Sequence, residues 1–315
     1  MANFAVVGAG GFVAPRHLAA IRDTGHTLVA AADPHDAVGV LDRYSYSAHY
    51  FPDTERFWSH VQTVNATPSA DRVHVVSICT PNDLHAAHAR RALLAGAAVI
   101  CEKPLVLDPR QLDELESLER QTGLLIHTVM QLRLHPAIKA LEGTLPQGRR
   151  HDVVVTYVAP RGRWHDASWK GDQARSGGLL INIGIHLFDL LLFLFGRALD
   201  CRVHLSAPRR ASGRCVLESA DVRWFLSTDP LDLELVNRSG HATRRCLSID
   251  GVLVDLSQGF EDLHTLAYRD ILSGRGLGIA DARPALALTH RLQRSTTDAA
   301  TDGHHPFLPL IPDLP

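Results

Sequence analysis

Short apolar runs and helical repeats alternate through the first part of the chain. Asn3 to Val7, Thr27 to Ala32, Val73 to Cys79, Ala98 to Cys101 and Leu124 to Met130 are compact apolar stretches, the pattern of strands buried on both faces. Between them apolar residues recur at helical spacing: Leu18 with Ile21, Asp53 to about Val64, Leu84 to Leu94, and Pro109 to Gln121. A shorter helical stretch near Ala37 to Tyr44 and a short strand around Tyr50-Phe51 complete the series. Strand and helix in alternation specify a doubly wound parallel sheet with helices on both faces. After Gln131 to Pro136 and a short helix, the texture changes at Gly148-Arg149-Arg150. Asp152 to Ala159, Cys201 to Leu205, Arg214 to Glu218, Val222 to Ser227, Leu231 to Val236, Cys246 to Ile249 and Val252 to Leu256 read as strands joined by turns, hence an antiparallel sheet. One long helix interrupts them, from near Ser176-Gly177-Gly178 to Phe195, with Gly196 as its stop. Phe260 to Ser273 and Ala280 to Arg294 read as two closing helices, and Ser295 begins a polar tail. The expected divisions are a first domain over 1–130, a second over 131–296, and a tail over 297–315.

Composition narrows the partner. The 315 residues are 45% hydrophobic, enough for two cores, and carry a formal net charge of −2. That balance gives no electrostatic handle for nucleic acid or an anionic membrane, so a small molecule is the expected partner. The N-terminal run lacks the basic segment of a signal peptide, and Leu187 to Phe195 is too short to span a bilayer, which together suggest the cytoplasm. Five cysteines (Cys79, Cys101, Cys201, Cys215 and Cys246) have no C-x-x-C spacing and lie in strand-like runs. Buried free thiols are therefore expected rather than disulfides, and no metal site is expected.

Candidate chemistry gathers at strand ends. The first run passes into Gly8-Ala9-Gly10-Gly11-Phe12-Val13 and then a helix, a turn that lets the backbone and a helix N-terminus approach a pyrophosphate. Val13 stands where the third glycine of G-x-G-x-x-G would be. The second strand ends in Asp33, about 25 residues after Gly8, the spacing of an acid that binds adenosine ribose hydroxyls and disfavours a 2′-phosphate. The third long strand ends in Cys79-Thr80-Pro81-Asn82, where Asn82 is a candidate helix cap. The fourth runs into Glu102-Lys103-Pro104, and a lysine at the carboxyl end of a parallel strand stands where ligands collect and where partial desolvation lowers its pKa towards acid/base use. In the second half, Asn182 and His186 lie four apart on the long helix with Asp189 one turn beyond. The loop Arg161-Gly162-Arg163-Trp164-His165-Asp166-Ala167-Ser168-Trp169-Lys170-Gly171 combines stacking faces with cations, equipment for a nucleotide diphosphate.

Taken together, Gly8-x-Gly10, Asp33, Thr80-Pro81-Asn82 with His85, Glu102-Lys103-Pro104, Arg133 with Pro136, and Gly178-x-x-x-Asn182-x-Gly184-x-His186 resemble the glucose-fructose oxidoreductase and inositol dehydrogenase (Gfo/Idh/MocA) family over nearly the whole chain. Five runs are similar to bacterial dehydrogenases that oxidise C3 of UDP-N-acetylglucosaminuronic acid. They are Ala14-Pro15-Arg16-His17-Leu18, Cys101 to Leu107, Gln131 to Pro136, Ser168-Trp169-Lys170-Gly171 and Phe260-Glu261-Asp262-Leu263-His264-Thr265. The resemblance implies an α/β architecture: an N-terminal Rossmann domain and a C-terminal α+β domain whose large, mainly antiparallel open sheet commonly forms the oligomer interface. A homo-oligomer, a tetramer before a dimer, is therefore expected. It implies NAD as cofactor, held by Gly8, Gly10, Gly11, Phe12, Val13, Asp33, Cys79, Thr80, Pro81, Asn82, His85, Glu102, Lys103 and Gln131. It implies a UDP-sugar substrate, in the biosynthesis of surface polysaccharide (O-antigen) sugars, with Lys103, Ser168, Asn182 and His186 among its candidate contacts; by chemistry and neighbourhood alone, Arg161, Arg163, Trp164, Trp169 and Lys170 are candidates for the UDP and the sugar carboxylate. Asn182 stands where many relatives carry aspartate. Lys103 and His186 are the expected catalytic pair, one accepting the hydroxyl proton and the other steadying the alkoxide, and the sequence leaves open which does which. A dehydrogenase of a free sugar, cyclitol or diol, and a sugar-sensing protein without catalysis, are the rival readings.

Overall fold

The structure, a computed structural model, describes residues 1–315 apart from 147, 237–241, 299–302 and 311–315. The chain divides into two units, Met1–Gln131 with Glu261–Arg283, and Leu132–Phe260 with Pro284–Pro315. A second domain drawn as continuous over 131–296 thus overlooks a stretch that the first unit takes back. The helix Leu263–Leu272 buries Leu263, His264 and Tyr268 and packs on the helix Ala14–Asp23. Its amphipathic pattern shows that it has a buried face but not which unit that face meets.

In the first unit β1 (Asn3–Val7), β2 (Thr27–Ala32), β3 (His49–Phe51), β4 (Val75–Ile78), β5 (Ala98–Cys101) and β6 (Ile126–Thr128) form a parallel sheet in the order β3-β2-β1-β4-β5-β6. Phe4, Val6, Val76, Ile78 and Val99 are fully buried, as strands covered on both faces require. Helices Ala14–Asp23, Thr54–Ala66, His85–Leu94 and Gln111–Thr122 make the crossovers. Asp53 starts the second of these by accepting from the Arg56 N–H at 2.9 Å, and Gly123, at φ +70°, ends the last. The order reverses between β1 and β4, so the carboxyl ends of these two strands flank the crevice where such sheets bind ligands.

In the second unit β7 (His151–Val158), β8 (Ala198–Ser206), β9 (Arg210–Leu217), β10 (Ala220–Ser227), β11 (Arg244–Ile249) and β12 (Val252–Asp255) take the order β12-β11-β7-β10-β9-β8. Only the pairing of β7 with β10 is parallel among these strands. Alternate residues define one apolar face: Val153, Val155 and Tyr157 on β7, Val222, Trp224 and Leu226 on β10, Leu247 and Ile249 on β11. The helix Gly184–Phe195 covers it with Leu187, Phe188, Leu191 and Phe195, and the Phe188 ring meets Trp224 edge-on at 5.2 Å. Each such fully buried side chain contributes roughly 1.5–3 kcal/mol.

Four expectations are corrected. Leu231 to Val236, whose alternation reads as a strand, lies in the helix Pro230–Val236: Pro230 suits a first turn, and Asp229 accepts from the Leu231 N–H at 3.0 Å. The long helix is broken into Gly178–Asn182 and Gly184–Phe195 at Ile183, after an earlier turn at Gly177 with φ +82°. Cys201 and Cys215 sit directly opposite on β8 and β9 and are joined as a disulfide, a proximity created by register and invisible in their spacing. Cys79, Cys101 and Cys246 are buried free thiols. The tail is partly packed: Thr297 bridges to Val203, His305 is fully buried, and Leu308 joins Val158, Leu205 and Phe225. Among the described residues Gln173–Phe195 is the stretch long and apolar enough to cross a membrane, but it is interrupted twice and fills the core of this unit.

Candidate functional site

At the β1/β4 crevice three strand ends are tied together through glycines. Gly8 has φ +87°, and a Cβ there would lie 2.6 Å from the Cys79 carbonyl carbon and 2.7 Å from the Thr80 nitrogen. Neither conformation nor space admits a side chain. The Gly10 N–H donates to Asp33 Oδ2 at 2.9 Å, and the His35 N–H donates to Asp33 Oδ1 at 2.8 Å. Asp33 is thereby fixed at the end of β2, beside the turn. Gly11 donates to the Gly8 carbonyl, and no side chain caps the helix that starts at Ala14 after Val13. Phe12 is 80% exposed and carries the Arg16 guanidinium 5.8 Å above its ring.

Further along this edge, His85 joins two of the expected segments. Its Nδ1 lies 2.7 Å from the Pro104 carbonyl and its Nε2 lies 2.9 Å from the Thr80 carbonyl, so the ring stands between the turns after β4 and β5, donating to one carbonyl when neutral and to both when protonated. Burial lowers its pKa against the pull of those carbonyls. Asn82 is buried, but it does not cap the helix His85–Leu94, whose preceding residue is Leu84. Thr80 Oγ1, Thr128 Oγ1 and Gln131 Oε1 are buried and lack hydrogen-bond partners among the described residues. Orphaned polar atoms at the carboxyl edge of a parallel sheet, a side-chain-free glycine cradle and a fixed carboxylate fit a dinucleotide.

Glu102 closes β5 on a network that sequence reasoning missed. Its Oε1 lies 2.9 Å from His17 Nε2 and 2.9 Å from His264 Nε2, while His17 Nδ1 meets Tyr268 Oη at 2.8 Å and Tyr268 Oη meets Ser77 Oγ at 2.6 Å. Burial alone would raise the Glu102 pKa, but the hydrogen bonds from both imidazoles hold it well below the usual carboxylate range. Burial keeps His17 neutral. The proton order follows: His17 Nε2–H and His264 Nε2–H donate to the anion, Tyr268 donates to His17 Nδ1, and Ser77 donates to Tyr268. Two imidazoles and a carboxylate also resemble a metal-ligand set, but their donor atoms are engaged with one another. Lys103, half-buried, follows this anchored glutamate directly. His17 and His264 stand in two of the distinctive sequence runs; a histidine on the buried stripe of an amphipathic helix was the available signal.

In the second unit the loop after β7 is built around cations and indoles. Arg161 Nη1 donates to the Ala159 and Pro160 carbonyls at 3.2 and 3.1 Å. Lys170 Nζ lies 5.3 Å from the Trp164 ring centre and 5.7 Å from that of Trp169, with Trp164 57% exposed. Burial lowers the Lys170 pKa, and the Arg161 charge lowers it further. Ser168 Oγ donates to the His165 carbonyl at 2.8 Å, folding the loop, and Arg163 is exposed in the short helix Arg163–Ala167. Asn182 ends one short helix, and His186 lies in the first turn of the next with its Nδ1 buried. Asp189 is removed from the polar stripe: it is 1% exposed and takes a bidentate pair from Arg133 at 2.9 and 2.6 Å.

Residues 2–129 match the model of an oxidoreductase family with an NAD-binding Rossmann fold, and residues 143–225 match the GFO/IDH/MocA C-terminal domain. The chain belongs to the Gfo/Idh/MocA family. This Gfo/Idh/MocA protein is an oxidoreductase, and its first unit is an NAD-binding Rossmann domain. The WlbA (WbpB) dehydrogenase of Thermus thermophilus, solved with NAD and UDP-GlcNAcA, is 43% identical, with a TM-score of 0.93 and 98% of this chain and 100% of that chain covered. The same dehydrogenase solved with NAD and alpha-ketoglutarate is 44% identical at the same TM-score and coverage. Among curated relatives, D-glucoside 3-dehydrogenase of Escherichia coli (strain K12) is 31% identical over 39% of this chain and 36% of its own length. Inositol 2-dehydrogenase of Rhizobium meliloti (strain 1021) is 28% identical over 62% of this chain and 55% of its own length. The chain thus spans between a third and three fifths of the length of these two curated relatives.

Proposed function

We propose that this oxidoreductase oxidises the C3 hydroxyl of UDP-N-acetylglucosaminuronic acid to the 3-keto sugar, as a cytoplasmic homo-oligomer, a tetramer, in the supply of surface-polysaccharide sugars. The observation that carries this reading is the full-length likeness to the Thermus dehydrogenase that binds NAD and UDP-GlcNAcA. The indole and lysine loop supports a nucleotide sugar over a free one.

When bound, NAD accepts the C3 hydride. Gly8, Gly10 and Gly11 admit its pyrophosphate against backbone N–H groups, and Asp33 accepts from the adenosine ribose. Thr80, Thr128 and Gln131 offer the partnerless oxygens at the sheet edge. Lys103 and His186 handle the hydroxyl proton: one accepts it as the hydride leaves and the other holds the developing alkoxide. Glu102, kept anionic by two imidazoles, holds the start of the Glu102-Lys103-Pro104 turn, and His85 holds its end. Since the Thermus relative also binds alpha-ketoglutarate with NAD, a 2-oxo acid is the proposed second substrate, reduced to the 2-hydroxy acid as NADH returns to NAD.

The test is a substrate panel. Purified protein with NAD should form NADH or, with 2-oxoglutarate added, 2-hydroxyglutarate, in the presence of UDP-GlcNAcA and far more slowly with UDP-GlcNAc, inositol or glucose. Turnover only on the free sugars or cyclitol would replace this reading with the rival dehydrogenase.

A further inference from the structure

Arg245 was not among the residues singled out by sequence, and its surroundings are unusual. On β11 it alternates with Leu247 and Ile249, so it belongs to the apolar face that the His186-bearing helix covers. Its register partner on β7 is Tyr157. The guanidinium lies 5.3 Å from the Tyr157 ring centre and 4.6 Å from that of Phe260, and its Nε is buried with no hydrogen-bond partner. The neighbouring Arg244 points to the other face and pairs with Asp255 at 2.9 Å. Among the described residues no acid pairs with Arg245.

Arg161 shares this condition. It is half-buried, its Nη1 is spent on two backbone carbonyls, and no carboxylate pairs with it among the described residues. Burial lowers its pKa, the tyrosinate form of Tyr157 would raise it, and the positive charge of Arg245 lowers it again, so the two guanidiniums feel one another. Two like charges drawn partly out of water, without an anion, are costly unless a ligand supplies one. A planar guanidinium fork is the group that takes both oxygens of a carboxylate.

We propose that Arg245, assisted by Arg161, is the carboxylate subsite of the second unit and the residue that selects a uronic acid over the neutral sugar. This rests on the UDP-N-acetylglucosaminuronic acid reading above. The loop of Trp164, Trp169 and Lys170 serves the nucleotide end. Arg245, on the sheet face that the His186-bearing helix covers, serves the sugar end.

The experiment measures binding of UDP-GlcNAcA, UDP-GlcNAc and UDP to the NAD-loaded protein, for the natural sequence and for Arg245→Met, Arg245→Lys, Arg161→Met and Arg244→Met. Methionine keeps a stem on Phe260 and Tyr157, and a thermal melt of each variant reports folding. Arg245→Met should raise the Kd for UDP-GlcNAcA about 10- to 100-fold, the loss expected for hydrogen bonds to a charged group. UDP-GlcNAc and UDP should change by less than about threefold, Arg245→Lys should recover part of the loss, Arg161→Met should show a smaller loss of the same selectivity, and Arg244→Met should change nothing. Equal losses for all three ligands would place the diphosphate at Arg245 and overturn the carboxylate assignment, as would unchanged affinity for UDP-GlcNAcA. If the natural protein binds no UDP-sugar, the substrate reading fails instead. The subsite is then tested with glucuronate against glucose, where an Arg245-dependent preference supports it and no preference overturns it.

Discussion

At the carboxyl edge of the first sheet the acids are already answered: Asp33 by two backbone N–H groups, Glu102 by two imidazoles, of which His17 is itself backed by Tyr268 and Ser77. In the second unit, Arg245 on the helix-covered face of the sheet and Arg161 in the loop after β7 carry charge that no acid among the described residues answers. The first arrangement sets its geometry before any ligand arrives and leaves only a few neutral oxygens for the cofactor. The second leaves charge for the substrate to complete. A cofactor site common to many chemistries can be rigid and self-contained, whereas a site that must choose one sugar keeps its unpaired charges for the group that distinguishes it.

Breaking a satisfied pair should therefore cost stability, and removing an unsatisfied charge should not. The largest loss is expected from Asp189→Leu, which leaves Arg133 buried without its bidentate partner, at about 3–5 kcal/mol by urea unfolding. Acid should act next, through the first unit. Burial pushes the His88 pKa from 6.5 to about 4. A depressed folded pKa means the unfolded chain takes up the proton first, so the stability is fully present above about pH 6.5 and is lost as pH falls towards 4, to the extent of about 3 kcal/mol. His88→Gln keeps an acceptor for the Trp58 indole N–H and should flatten the pH dependence over that window; an unchanged slope would remove His88 as its cause.

A smaller effect is expected from His264→Leu, which strips one donor from Glu102, at about 1–3 kcal/mol, while His264→Gln, which can still donate, should cost less than about 1 kcal/mol. The smallest belongs to Arg245→Met, with unfolding stability within about 0.5 kcal/mol of the natural protein or higher, because no partner is left stranded. A large loss there would mean that Arg245 has a partner, as Arg133 does in the same unit.

The first sheet was legible because most of its parallel strands are short apolar runs, and four of them end in residues proposed for the site: Gly8, Asp33, Thr80 and Glu102-Lys103. The second was legible by alternation, except where Leu231, Leu233 and Leu235 imitate a strand inside a helix that Asp229 and Pro230 begin. What the sequence concealed depends on which distant elements meet. The Cys201–Cys215 pairing follows from register. The return of Leu263–Leu272 to the first unit, and with it the His17–Glu102–His264 network, joins residues widely separated in the chain. Asp189 lies one turn beyond Asn182 and His186 in the sequence, and helical spacing says nothing of its pairing with Arg133. Arg244 and Arg245 are adjacent cations in the sequence, and only the strand's two faces separate them.

The central claim is that Lys103 acts on the substrate's hydroxyl proton while the rest of the first unit holds the cofactor. Single-turnover hydride transfer from UDP-GlcNAcA to NAD bound to Lys103→Met tests it most directly, with NAD affinity measured on the same protein. The transfer rate should fall by about a thousandfold or more with NAD affinity within about threefold of the natural protein. A transfer rate close to that of the natural protein would contradict the account.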